Sequence, residues 1–149
     1  MNLTEVLLWL FVINLGIVFG AGLYEGRVVV PLWASSPPQS LRSPDSGRKS
    51  WAFVTTIPLT VLTLASLVAA WHSEGPRRGW WFAAAAVIVV ERISTFLYFI
   101  PTMLHLQRTA MAEVEIKARV TQWARLNSLR NALTFGAWMA ALKALSTPT

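Results

Sequence analysis

The sequence predicts an all-α protein, a four-helix transmembrane bundle, and three observations carry that prediction. Charged residues make up only 13% of the chain and hydrophobic residues 54%, whereas soluble domains are roughly 25% charged. Four apolar segments, about 6–30, 51–71, 80–104 and 127–145, consume most of the 149 residues. Each is near the roughly 20 residues a helix needs to cross a bilayer. Trp9, Trp33, Trp51, Trp71, Trp80, Trp81 and Trp123 fall at or near segment ends, where amphipathic rings prefer the headgroup zone. Strands are excluded, because a small open sheet would leave its edges unsatisfied in lipid. The whole chain, 1–149, reads as one integral membrane domain.

The first segment opens on Met-Asn-Leu-Thr-Glu, with no basic n-region and an apolar stretch longer than a signal-peptide core. It is therefore expected to stay as a helix rather than be cleaved. Gly16, Gly20, Gly22 and Gly26 give it two small-xxx-small frames, which permit close helix approach within the chain or in a homo-oligomer. Pro31 is expected to end this helix. The stretch 34–50, ASSPPQSLRSPDSGRKS, is rich in Pro and Ser and predicts a flexible loop, either a lid or a plain connection.

Helix 2 contains Pro58 and the hydroxyl series Thr55, Thr56, Thr60, Thr63 and Ser66. Local bonding of those hydroxyls to helix carbonyls accounts for them. The turn HSEGPRRG over 72–79 is short and makes helices 2 and 3 an antiparallel hairpin. Pro101 should kink helix 3. The stretch 105–125 lacks helix breakers and predicts continuous helix leading into helix 4. Helices 3 and 4 are thus expected to extend beyond the membrane.

The net charge of +6 is read through topology. With four crossings, the loops after Val30 and Leu104 share one side with nine Lys and Arg, against three on the side of the termini. The more basic side is expected to be cytoplasmic, with both termini outside. The charges are dispersed and no stacking motif accompanies them, so nucleic acid is not an expected partner. There is no cysteine, which excludes disulfides and thiolate chemistry.

Inside the third apolar run stands Glu91-Arg92. One charge at a helix centre costs roughly 2.5–3.5 kcal/mol on insertion scales. Both side chains need a partner, a wet cavity or a ligand, so the pair is either a packing staple or a site. Seven-residue spacing places Glu91, Tyr98 and His105 on one face of helix 3, near Ser94, Thr95 and Thr102. Trp123, Asn127, Arg130, Asn131 and Thr134 form a stripe on helix 4, and helix 1 adds Asn14 and Glu25. Facing lipid would leave these groups unsatisfied, so the stripes point inward.

Depth counted at about 1.5 Å per residue puts Glu25, Tyr98, Asn127 and Arg130 in one layer and Glu91 with Asn14 in a deeper one. Arg92 points about 100° from Glu91 on an ideal helix, so the two need not pair, and Arg92 is free to reach toward Glu25. The first layer is expected to line one small-molecule cavity. Glu25 or Glu91 is placed to act as general base and Arg130 to hold an anionic oxygen. Asn14, Arg92, Tyr98, His105, Trp123 and Asn127 are the candidate substrate-binding groups. A structural polar network of the same residues is the competing reading. No Glu-x-x-His or paired-His motif occurs, so neither metal nor other cofactor is expected; an ion held by Glu25, Glu91 and His105 is the weak exception.

Three stretches then carry a resemblance: GAGLYEGRVVVPLW (20–33), FIPTMLHL (99–106) and WARLNSLRNALTFGAWMAALKAL (123–145), the last with Trp, Asn and Arg spaced as W-x-x-x-N-x-x-R. Together they resemble the anthrone-oxygenase-like family of small four-helix membrane proteins, many of whose bacterial members have no assigned role. The family's characterised fungal relatives oxidise anthrones to anthraquinones with molecular oxygen and without a conventional cofactor, so the resemblance implies an oxidoreductase of that kind, and the expected location is a bacterial inner membrane. The positions it matches are Trp123, Asn127 and Arg130, with Pro101 and Thr102. One departure stands: relatives often carry a His or polar residue close to the final Arg, where this chain has Ser128-Leu129. The expected function is an oxygenase-like protein acting on a hydrophobic phenolic or polyketide-like molecule. A non-catalytic carrier or transporter subunit and a structural or assembly subunit are the alternatives.

Overall fold

A computed structural model describes residues 2–35, 41, 51–108 and 111–148. Among these residues the chain is all-helical, in four long helices. Helix α1 is α-helical over Leu3–Tyr24, takes a π turn at Glu25–Val29 and resumes as α-helix over Val30–Ser35. Helix α2 begins with a π turn at Ala52–Thr56 and continues over Ile57–His72. Helix α3 runs Arg77–Ser94, a π turn Thr95–Phe99, then Ile100–Arg108. Helix α4 is one α-helix, Glu113–Ser146. The first three are long and apolar enough to cross a membrane. Helix α4, with 34 residues and seven charged side chains, is about 51 Å long but more polar.

The three π turns have one cause. A proline within a helix lacks the N–H for its own bond, and its ring collides with the carbonyl four residues back. Pro31, Pro58 and Pro101 each stand two residues beyond a π turn. In each case the residue before the proline donates its amide five residues back: Val30 to Glu25, Ile57 to Ala52, Ile100 to Thr95. The wider turn lets the ring pass the crowded carbonyl while the helix goes on. Pro31 therefore does not end α1, as the sequence led one to expect; the helix continues to Ser35.

At its start α1 is held by a capping box, the Asn2 oxygen accepting from the Glu5 amide at 2.8 Å and the Glu5 carboxylate from the Asn2 amide at 3.1 Å. The turn between α2 and α3 depends on Gly75, whose φ of 82° is strained for any residue with a Cβ. The hydroxyls of Thr55, Thr60 and Thr63 bond the carbonyls of Trp51, Thr56 and Leu59, as expected for local back-bonding, whereas the buried Ser66 hydroxyl has no partner among the described residues. The predicted loop 34–50, with its lid reading, lies outside the described residues apart from the helical residues 34–35 and Leu41. The continuous helix expected over 105–125 is instead broken: α3 stops at Arg108, and Ala112 is extended before α4 begins. The reversal has a packing cause rather than a Gly or Pro signal. It folds Leu106 against Ile116 and Val120 in one apolar cluster.

Each helix packs on two others, α1 on α2 and α4, and α3 on α2 and α4. At the end carrying the termini, Leu8, Phe11, Leu15, Leu59, Trp81, Ile88, Ala137 and Ala141 make an apolar core. At the other end Val30, Trp33, Leu41, Phe99 and Trp123 join the reversal cluster. Close approach of α1 to α4 uses Gly16 and Gly22. A Cβ on Gly22 would sit 2.1 Å from Asn131 Oδ1, and one on Gly16 would sit 3.1 Å from the Trp138 ring. Gly20 and Gly26 face open space, so each small-xxx-small frame is divided between an internal contact and the outer surface.

Candidate functional site

Between the two apolar clusters lies a charged layer. Glu91 is 1% exposed and holds its neighbour Arg92 through two hydrogen bonds, Arg92 Nε to Oε2 at 2.6 Å and Nη2 to Oε1 at 2.8 Å. Arg130 reaches from α4 to both acids: Nη2 lies 3.4 Å from Glu25 Oε2, and Nε lies 3.6 Å from Glu91 Oε1. Thr95 links the two sets, accepting from Arg130 Nη1 at 3.5 Å and donating to Glu91 Oε1 at 3.2 Å. The Arg130 guanidinium also stacks over Phe99, 4.6 Å from the ring centroid, a cation–π contact. Asn127 donates to Glu25 Oε2 at 3.4 Å. Two carboxylates and two guanidiniums thus close a neutral set drawn from three helices.

The two acids are held differently. Glu91 has short bonds on both oxygens. The bonds to Glu25 are long and both fall on Oε2, with none to Oε1 among the described residues. Glu25 is the acid with an oxygen to spare.

This layer forms the floor of a cavity of about 280 Å³, close to the lower end of the about 300–1,000 Å³ usual for small-molecule sites. From α1, Gly22, Glu25, Val29 and Trp33 line it; from α2, Trp51, Ala52, Thr55 and Thr56. From α3 come Glu91, Thr95, Phe99 and Met103 at steps of four, and from α4 Trp123, Arg130 and Thr134. Every π turn lies on this wall, a recurrent association with functional sites. Trp123 is fixed there by its ring N–H, which donates to the Phe99 carbonyl at 3.3 Å, and by packing against Trp33 and Phe99 with centroids 5.2 and 5.6 Å away.

The structure brings together Glu25, Glu91, Arg92, Trp123 and Arg130 on this wall, with Asn127 behind Glu25. Three expected members lie elsewhere. Tyr98 turns aside to meet Phe99 edge-on at 5.2 Å. The reason is the π turn, which adds one residue between Glu91 and the next turn and so rotates everything beyond by about 100°. Phe99 takes the place the seven-residue spacing assigned to Tyr98. The same rotation carries His105 out to an exposed position off the cavity wall. Asn14 is buried beside the apolar core, its Oδ1 without a partner among the described residues.

Two further expectations are corrected. Arg92 pairs with its own neighbour Glu91 rather than reaching Glu25, because its flexible chain closes the angle between adjacent helix positions. The deeper layer does not stand apart as expected: Arg130 bridges Glu25 and Glu91, while Asn14, expected beside Glu91, does not join them. Sequence reasoning missed Trp33, Trp51, Thr56 and Phe99 as wall residues; the prolines beyond the π turns were the available signal. Among the described residues, no three of His, Cys, Asp and Glu converge as a metal site. No family model, curated protein or solved structure matches the chain.

Proposed function

We propose that the four helices form a transmembrane bundle whose cavity binds a hydrophobic aromatic molecule through an acidic oxygen and oxidises it with molecular oxygen. The observation that carries this reading is the meeting of Glu25 and Arg130 at 3.4 Å on the wall of an aromatic-lined cavity. Membrane placement is supported by an inverted surface. Ile13, Val61, Leu64, Val90, Leu97 and Leu129 are exposed while Glu91, Arg92, Thr95, Asn127 and Thr134 are buried, as lipid requires. Leu126, Leu133 and Met139 extend the exposed apolar face along α4.

The residues divide the work. Trp33, Trp51, Phe99 and Trp123 suit flat apolar rings. Glu25, with one oxygen uncommitted, takes a proton from the substrate methylene. The electron pair moves onto the conjugated oxygen, where Arg130 stabilises the anion. Oxygen adds at the carbanion carbon, the peroxide anion takes back the proton held by Glu25, and loss of water from the hydroperoxide leaves a ketone. A methylene and one O₂ become a carbonyl and one water, the carbon giving up four electrons. Glu91 and Arg92 hold the floor in place and transfer no proton. The reaction class follows the sequence resemblance; the roles follow the cavity.

Purified protein in detergent should consume oxygen with 1,8-dihydroxyanthrone, and Glu25→Gln should lower kcat by about 10²–10⁴-fold, the usual scale of general-base removal. Stabilisation by the anthrone without oxygen uptake would assign the cavity to a carrier instead. Neither effect would reject the cavity as a site.

Orientation follows the Lys and Arg asymmetry, which is nine less the buried Arg130, or eight, against three, and favours a cytoplasmic α3–α4 reversal with both termini outside the inner membrane. With no native cysteine, Gln122→Cys should resist an impermeant maleimide in intact cells and Ser146→Cys should react. The opposite pattern would invert the topology.

A further inference from the structure

A second cavity, about 360 Å³, opens between α2 and α3. Its outer wall is Leu64, Ile93, Phe96 and Leu97, all exposed to the surroundings of the protein. At its inner end stands Arg92, which lines this cleft and the main cavity alike. The other polar groups of the cleft are spent: Thr60 and Thr63 bond helix carbonyls at 2.7 and 2.6 Å. Glu91 occupies Nε and Nη2 of Arg92, while Nη1 has no acceptor among the described residues. An apolar trough thus ends at one hydrogen-bond donor, and behind that donor lies the site.

We infer that this cleft is a lateral port through which a neutral, bilayer-dissolved hydrophobe bearing a carbonyl or phenol oxygen reaches the main cavity, Arg92 Nη1 receiving that oxygen. The inference rests on the membrane placement proposed above and adds a route of entry. Depth selects the occupant. Arg92 stands midway along Arg77–Arg108, roughly 22–24 Å from either end. Lipid headgroups stay at the surface, and acyl chains bring no oxygen to that depth. A ring compound dissolved in the hydrocarbon does, and its flat apolar body suits a trough walled by Phe96 and aliphatic side chains. Charge complementarity completes the argument, because an aliphatic trough with a guanidinium at its inner end favours an acceptor oxygen arriving first.

The test uses no anthrone. Protein reconstituted in phosphatidylcholine vesicles carries Ala21→Cys on the wall of the main cavity, in a chain without other cysteines. The probe is N-phenylmaleimide, a bilayer-soluble ring compound with carbonyl oxygens. Val89→Trp, which fills the cleft, should slow labelling by an order of magnitude, and Arg92→Leu should slow it to a lesser extent. Val90→Trp, exposed on the same helix but outside the cleft, should leave the rate unchanged. Leu64→Trp blocks the facing wall and serves if Val89→Trp does not reconstitute. An unchanged rate in both blocked variants, equal slowing by Val90→Trp, or no labelling of Ala21→Cys at all would overturn the port. Slowed labelling in a protein that consumes no oxygen keeps the port and removes the oxidation; normal oxygen uptake with unchanged labelling does the reverse.

Discussion

Replacing Arg130 by alanine should lower stability by about 3–5 kcal/mol, the usual consequence of removing one partner from a buried charge pair. Arg130 is the cation that faces both Glu25 and Glu91, and its side chain is only 17% exposed. Without it, two carboxylates share one layer with Arg92, which is already committed to Glu91. The measurement is the detergent melting curve, together with the double variant Arg130→Ala/Glu25→Ala. The double variant should be less damaged than the sum of the singles, with coupling of about 0.5–3 kcal/mol. A single-variant loss below about 1 kcal/mol, the range of solvent-exposed pairs, would show the layer to be wet and the pair weak. Ligand-induced stabilisation, measured on whatever fraction stays folded, should vanish in both variants.

Glu91→Leu should be comparably damaging, about 3–5 kcal/mol, because it strands Arg92 beneath an apolar wall. The informative variant is Glu91→Leu/Arg92→Leu. Replacing both members of a buried pair by hydrophobic residues is often neutral or stabilising by about 1–4 kcal/mol. The double variant should therefore recover most of the lost melting temperature while leaving Glu25 and Arg130 to face each other. Recovery together with retained anthrone response would identify Glu91 and Arg92 as a staple below the reacting groups. A double variant no better than the single would mean that the contact of Glu91 with Arg130, 3.6 Å away, outweighs its bond to Arg92.

The sequence made the helices and the members of the charged layer legible and misplaced their phase. Apolar runs and mid-run charges are one-dimensional signals, so Glu25, Glu91, Arg92 and Arg130 stood out by cost alone. Which neighbours they meet depends on rotation about each helix axis, and that was lost at the π turns. Counting sevens from Glu91 gives Tyr98; the structure gives Phe99. The three prolines carried the missing information in a form that reads as breaks rather than as widened turns. Helix α2 went unrecognised as a cavity wall because its hydroxyl series reads as local back-bonding, which is what Thr55 on the wall does. The reversal before Glu113 was equally silent, being set by the burial of Leu106, Ile116 and Val120 rather than by local chemistry.

The way the charges are shared among helices also bears on the order in which the protein is made. On the membrane placement proposed above, α1 enters the bilayer first, because chains emerge from the amino end, and it carries Glu25 with the nearby Arg27 exposed on the surface. Helix α3 arrives with its mid-helix charges already paired, because Glu91 and Arg92 are sequence neighbours and close on each other within one helix. Glu25 finds its partner only when Arg130, 105 residues later, comes in on α4. That last helix is the more polar one and does not qualify as a span on hydropathy alone. A waiting carboxylate in the first helix offers it a reason to insert that its own composition lacks. In a bilayer, translation of the final segment and neutralisation of the first would then be a single event, and a nascent chain stopped short of Arg130 would hold an unmatched acid as a mark of incompleteness.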